Sequence, residues 1–240
     1  MAKKTGKSPA NHRVLWVDGV RGMAIMLMIV FHFCYDLRYF GYYVDWAIPN
    51  GPGWWQFRYL ILTLFIGTVG VSLTLAHGRQ FRRKAFYKRL WQLLAAAAGI
   101  TVMSLLVFPK AWIYFGILHF IAAGTLLSIG LVRRPHWALA LGSLILIGYW
   151  LGWLPYYWPF RWFSQWLPPQ TEDFVPLFPW LGVLLVSMAA AALLPIHRIQ
   201  FPQSWLLTRL QLLGRHGLLI YLLHQPLLFA GFLLVQFARG

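Results

Sequence analysis

Charge is scarce in this chain. Asp, Glu, Lys and Arg make up 11% of its 240 residues, where a soluble domain carries about a quarter. There is too little charge to coat a water-facing surface, so a soluble globular protein is excluded. Carboxylates are scarcer still: Asp18, Asp36, Asp45, Glu172 and Asp173 are the whole set, too few for a carboxylate-rich metal centre. The single cysteine, Cys34, excludes an internal disulfide and a multi-cysteine zinc or iron–sulfur site, and no metal is expected. No polar connection approaches domain length, which leaves no room for a hidden soluble domain. Internal repeats are also missing, and with them the inverted-repeat signature of many transporters.

What is abundant is apolar and aromatic. Hydrophobic residues make up 60% of the chain and aromatics 18%, with 14 Trp, and the mean hydropathy is +0.61. This composition predicts an all-α integral membrane protein, one transmembrane domain spanning 1–240. Seven apolar segments are marked, at 23–43, 54–77, 90–108, 112–132, 137–153, 174–195 and 217–237, each of a length suited to a helical crossing. The net charge of +16 comes from short basic runs between these segments, not from a patch on a soluble face, so nucleic acid is not an expected partner. Of 21 Lys and Arg residues, sixteen fall in the amino-terminal stretch, the second, fourth and sixth connections, and at their borders. The positive-inside rule then places the amino end, with its basic tail 1–17, in the cytoplasm and the carboxyl end outside. The first apolar stretch lacks a small-residue cleavage site and reads as a retained helix, not a signal peptide.

Aromatics crowd the outer boundary, above all in WLPYYWPFRWFSQW at 153–166. Trp and Tyr settle at headgroup level, so 153–173 is expected to be an outer interfacial loop. A platform on which sugar rings stack is the alternative. On the second segment Thr63, Gly67, Gly70 and Thr74 share one face, which lets another helix come close. Gly116 and Ala123 flank His119 in the same way.

Ionisable groups inside spans are costly and usually face a cavity or a partner. Asp18, Arg21, His32 and Asp36 fall within about a 60° arc of the first helix, with Ile25 interrupting the stripe. Asp36 stands one turn beyond His32, where a carboxylate orients an imidazole and prepares a general base. Alternatively, Asp36 pairs with Arg38 or Arg58 and His32 bonds a neighbouring helix. His119, in FGILHF, and His224, in LLHQP, bring two more imidazoles to overlapping depth. Pro226 removes a helical hydrogen bond beside the latter. Arg21 has two readings: a local ion pair with Asp18, or, with Arg215, a site for a phosphate-bearing ligand such as coenzyme A.

The stretches RVLWVDGVRGMAIMLMIVFHFCYDLRYFG at 13–41, FGILHF at 115–120, PLFPW at 176–180 and LGRHGLLIYLLHQP at 213–226 resemble, in order, the heparan-α-glucosaminide N-acetyltransferase catalytic-domain family in its short bacterial form. The resemblance covers nearly the whole chain. It implies a membrane enzyme, in a bacterial inner membrane, that moves an acetyl group from cytosolic acetyl-CoA to an amino sugar, or to another envelope glycan or glycolipid, on the far side. In animal members a histidine in the loop after the first span is central. The loop here, 43–54, holds Asp45 and no histidine, and the nearest candidate is His32. On this reading His32, oriented by Asp36, is base or transient acetyl carrier, and His119 or His224 polarises the thioester. Arg21, Asp18 and Arg215 hold the nucleotide phosphates, while Asp45, Arg58 and Trp180 meet the acceptor. Three other classes stay open: a haem-binding electron carrier using a histidine pair, a transporter, and a non-catalytic assembly partner. A homo-oligomer is open as well.

Overall fold

The computed structural model describes residues 14–42, 53–199, 201–202 and 204–239. Among them the named elements are all helical, and the one isolated β-bridge joins Phe115 to Phe174. The α-helices are α1 (Leu15–Tyr39), α2 (Trp54–His77), α3 (Arg83–Val107), α4 (Ile117–Ser128), α5 (Pro135–Trp150), α6 (Leu177–Leu193), α7 (Trp205–Arg215) and α8 (Gly217–Arg239). Each of the seven apolar segments carries a helix, but only α1, α2, α3 and α8 are both long and apolar enough to cross a membrane. The segment at 112–132 falls short because 112–116 are non-helical and α4 starts only at Ile117. The segment at 174–195 likewise opens with non-helical residues before Leu177. Conversely, α1 starts at Leu15, eight residues before the expected segment, so Asp18 and Arg21 belong to the helix.

Among the described residues, the one α-helix outside the seven apolar segments, α7, lies in what reads as a basic connection. Ser204 caps it by accepting the Leu207 N–H at 3.1 Å, which satisfies one of the amide donors that a helix start leaves open. It buries Leu210, Gln211 and Gly214 and leaves Trp205 and Leu206 exposed.

Around α1 are packed α2, α7 and α8, while α6 lies between α2 and α5. The core is formed by Ala24, Ile25 and Met28 of α1 with Ile61, Leu62, Phe65 and Ile66 of α2, Phe120 of α4 and Leu184 of α6. Small residues set the closest approaches. At Gly70 an added Cβ would strike Ser187 and the Leu184 carbonyl, and the Thr74 hydroxyl donates to the Met188 carbonyl at 2.9 Å. Gly67 has open space beside it and Thr63 is exposed. The close face of α2 is therefore its second half alone. Large apolar side chains cover the outside of α3, α5 and α8, as a lipid-facing surface requires, because solvation by lipid tails favours them there. Trp153, Trp162 and Trp166 are among the exposed rings of the aromatic loop.

Candidate functional site

The chain folds α7 and α8 back along one face of α1. Gly217, at the start of α8, sits against Ile25 and Arg21. Further along, the rings of His32 and His224 meet edge to face with centroids 4.8 Å apart. One turn on, Gln225 Nε2 donates to both oxygens of Asp36, at 2.9 and 3.2 Å. The polar stripe read on α1 is thus matched position by position by the last two helices.

The partners are not those that spacing suggested. Asp36 stands at the expected i,i+4 offset from His32 but turns to Gln225, and neither Arg38 nor Arg58 pairs with it. Asp36 is fully buried, and a buried carboxylate without donors is costly. The amide on α8 supplies them across the helix interface. His32 is held instead by its own helix: Nδ1–H donates to the Met28 carbonyl at 3.0 Å. His224 copies this, with Nδ1–H donating to the Tyr221 carbonyl at 2.7 Å. Each bond fixes the tautomer and leaves the Nε2 lone pair available. The His224 Nε2 is buried with no hydrogen-bond partner among the described residues.

Beyond this pair lies a second polar group. Arg58, near the start of α2, donates from Nη2 to the Phe174 carbonyl at 2.6 Å and to Asp173 at 3.4 Å. Asp173 also accepts the Ile117 N–H at 3.0 Å, capping α4 from a loop far along the chain. Gly116 is required there, since a Cβ would meet the Asp173 carboxylate at 2.5 Å. Tyr156 stands near Arg58; burial pushes its hydroxyl up and the guanidinium pulls the other way. Its phenol stays protonated as a donor. The Tyr35 hydroxyl donates to Glu172 at 3.3 Å. Arg58 and Asp173 both lie within electrostatic reach of His32 and Tyr221.

His119 stands apart from the histidine pair. Its Nδ1 accepts the Gly116 N–H at 3.3 Å and its Nε2–H donates to Thr101 Oγ1 at 3.0 Å, whose hydroxyl donates on to Ile113. Both ring nitrogens are therefore committed to holding the start of α4 against α3. Trp180 is buried in the core with its ring beside Tyr59, and Asp45 lies outside the described residues.

At the other end of α1, Asp18, Arg21 and Arg215 do converge. Arg21 donates to Asp18 at 3.1 Å, to Ser72 at 2.7 Å and to the Gly214 carbonyl at 3.4 Å, and Arg215 Nε lies 4.0 Å from Asp18. The local ion pair read from the sequence is present, and Arg21 also ties α1 to α2 and α7.

The sequence model of heparan-alpha-glucosaminide N-acetyltransferase, catalytic, matches residues 13–226. The chain belongs to this family. No curated protein and no solved structure matches it. Family membership marks a membrane acetyltransferase, and the matched region runs from before Asp18 through the His224–Gln225–Pro226 step. The haem alternative does not suit these residues. Two axial imidazoles must stand on opposite faces of a macrocycle, and the edge-to-face contact of His32 and His224 leaves no space between them. His119 has neither nitrogen to spare.

Gln225, Tyr221, Tyr156 and Asp173 are the residues that sequence reasoning missed. Gln225 and Asp173 had signals: the first adjoins His224 before a proline, and the second precedes PLFPW in a chain nearly empty of carboxylates.

Proposed function

We propose that the protein transfers acetyl from cytosolic acetyl-CoA to an extracytoplasmic amino sugar or related envelope glycan, with the His32–His224 pair as the reaction centre. The observation that carries this reading is the pair itself. It comprises two touching imidazoles, each with Nδ1 tied to its own helix and Nε2 left as a base, at the middle of a seam formed by family-matched residues. His32 is half-buried, and His224 is buried against it.

The chemistry is acyl transfer. The acceptor amine attacks the thioester carbonyl, a C–N bond forms and the C–S bond breaks. His32 Nε2 takes the proton that the amine loses and passes it to the departing thiolate, giving acetamide and free thiol. His224 lies where its ring can steady the imidazolium of His32. Arg58, Tyr156 and Glu172 supply donors and an acceptor for sugar hydroxyls on the far side. From Arg21 to His32, α1 rises about 16 Å at roughly 1.5 Å per residue, a span an extended pantetheine arm can bridge from the basic Arg21–Arg215 end. The topology assumed is the one set by the basic runs, with that end in the cytoplasm.

Acetyl-CoA labelled in its acetyl group, supplied to the purified chain in liposomes with glucosamine as acceptor, is the direct test. Label recovered on the amino sugar, together with mass spectrometry of envelope glycans gaining one acetyl when the protein is present, is the expected result. No transfer to any envelope amine or hydroxyl would remove the transferase reading.

A further inference from the structure

The amphipathic helix α7 borders a groove of about 280 Å³, lined by Trp205, Thr208, Arg209, Gln211, Leu212 and Arg215. This is just below the roughly 300–1,000 Å³ range of small-molecule sites. Its composition is unusual for a helix turned toward lipid or packed in a core. Two guanidinium groups, a hydroxyl and an amide share one short helix with a widely exposed indole. Trp205 is 73% exposed, and the Arg209 guanidinium sits 5.6 Å from its ring centroid, covering one face and leaving a broad aromatic surface beside a positive charge.

The second observation is Gln211. It is 5% exposed and its Nε2 has no hydrogen-bond partner among the described residues. A buried amide donor left unmade is costly, and such a group calls for an acceptor that the protein itself does not supply, a water, an ion or a ligand. The groove also joins the machinery already described. Arg215 lines it and stands 4.0 Å from Asp18, the partner of Arg21. It therefore opens at the inner end of the α1 seam, whose other polar end is the histidine pair.

We infer that this groove binds the phosphoadenosine end of coenzyme A, with the purine on Trp205, phosphate oxygens on Arg209 and Arg215, and the Gln211 amide donating to the ligand. The inference rests on the acetyl-CoA reading above and assigns the nucleotide to residues outside the reaction centre. Arginine suits this role because its planar fork matches phosphate geometry and stacks on aromatic rings. The same groove chemistry would suit the phosphate of an anionic lipid headgroup, and an exposed indole suits headgroup level as well, so the unmet buried Gln211 donor in the groove is what favours the nucleotide. The short reach to Asp18 favours the nucleotide too.

Binding separates the groove from catalysis. Adenosine 3′,5′-bisphosphate is titrated calorimetrically into the detergent-purified full chain, then into Arg209→Gln, Trp205→Ala and Gln211→Leu, with the ligand-free melting temperature of each as the fold control. The expected result is binding by the parent chain, weakened roughly 10- to 100-fold in Arg209→Gln, as for a hydrogen bond to a charged group, at unchanged melting temperature. Parent binding with parent-like variants would put the nucleotide elsewhere and overturn the groove, leaving acetyl transfer intact. No binding of the bisphosphate by the parent would overturn it also. So would loss, in the variants, of association with phosphatidylglycerol vesicles in place of nucleotide binding, which would make the groove a lipid site. Nucleotide binding lost in the variants, in a parent chain that transfers no acetyl group, would uphold the groove and remove the transferase reading alone.

Discussion

The two halves of the seam along α1 are built on opposite principles. Against α7 the contact is backbone on backbone: a Cβ at Gly22 would collide with the Leu210 carbonyl, and one at Gly214 with the carbonyl of Asp18. The charges there are satisfied several times over by Arg21. Against α8 the contact is made by side chains, His32 on His224 and Asp36 on Gln225, and it leaves the His224 Nε2 and the Gln225 Oε1 buried without partners. Packing without slack and with the Asp18 and Arg21 charges answered is the mark of a clamp, and the unmet donor on that side, the Gln211 amide, lines the groove on α7. Polar groups held in place but incompletely satisfied are the mark of a site, because unmet hydrogen-bonding capacity is what a substrate can use.

Breaking the clamp should have the largest effect on folding. Gly22→Leu forces a side chain into the Leu210 backbone, and overpacking of this kind costs about 3 kcal/mol or more where backbone cannot yield. Detergent melting curves and size-exclusion profiles should show a large loss of folded protein. Gly67→Ala, at a position with open space on α2, should leave both unchanged.

The Asp36–Gln225 pair comes next. Asp36→Ala leaves an amide donor unmet, and Gln225→Ala leaves a buried carboxylate without one, each costing about 1–3 kcal/mol. A double-mutant cycle should return a coupling of roughly 0.5–3 kcal/mol. A coupling near zero would mean that the two side chains act independently and that α8 is held by other contacts.

A smaller effect is expected at the far polar group. Asp173→Asn keeps the shape but weakens the cap on α4 and the pairing with Arg58, a loss of about 1 kcal/mol in melting experiments. Arg58→Gln should raise KM for the acceptor more than it lowers kcat, since the role proposed for Arg58 is to hold the sugar and not the thioester.

The sequence made the membrane class, the helix at each apolar segment and the polar face of α1 legible, because composition and period are local properties. Choice of partner was not legible. The i,i+4 spacing permits Asp36 to reach His32, but a fully buried carboxylate goes to whichever neighbour brings N–H donors, and that neighbour is 189 residues away. Asp173 was hidden for the same reason, since it caps a helix whose start lies 56 residues earlier. His119 showed the converse: an imidazole in the right region is used up by Gly116 and Thr101. The helix α7 did carry a signature, Ser204 ahead of leucines at helical spacing, masked by the basic residues that made 196–216 read as a connection.

Turnover and stability of His32→Ala, measured on the same preparation, test the reaction centre most directly. A half-buried ring bonded only to its own helix and touching its neighbours contributes little packing, so the melting temperature should stay close to that of the parent chain. Acetyl transfer per folded molecule should fall by ~10²–10⁴, the loss typical of removing a general base. Parent-like transfer per folded molecule, with a lowered melting temperature, would contradict a catalytic His32 and make the His32–His224 contact a packing feature.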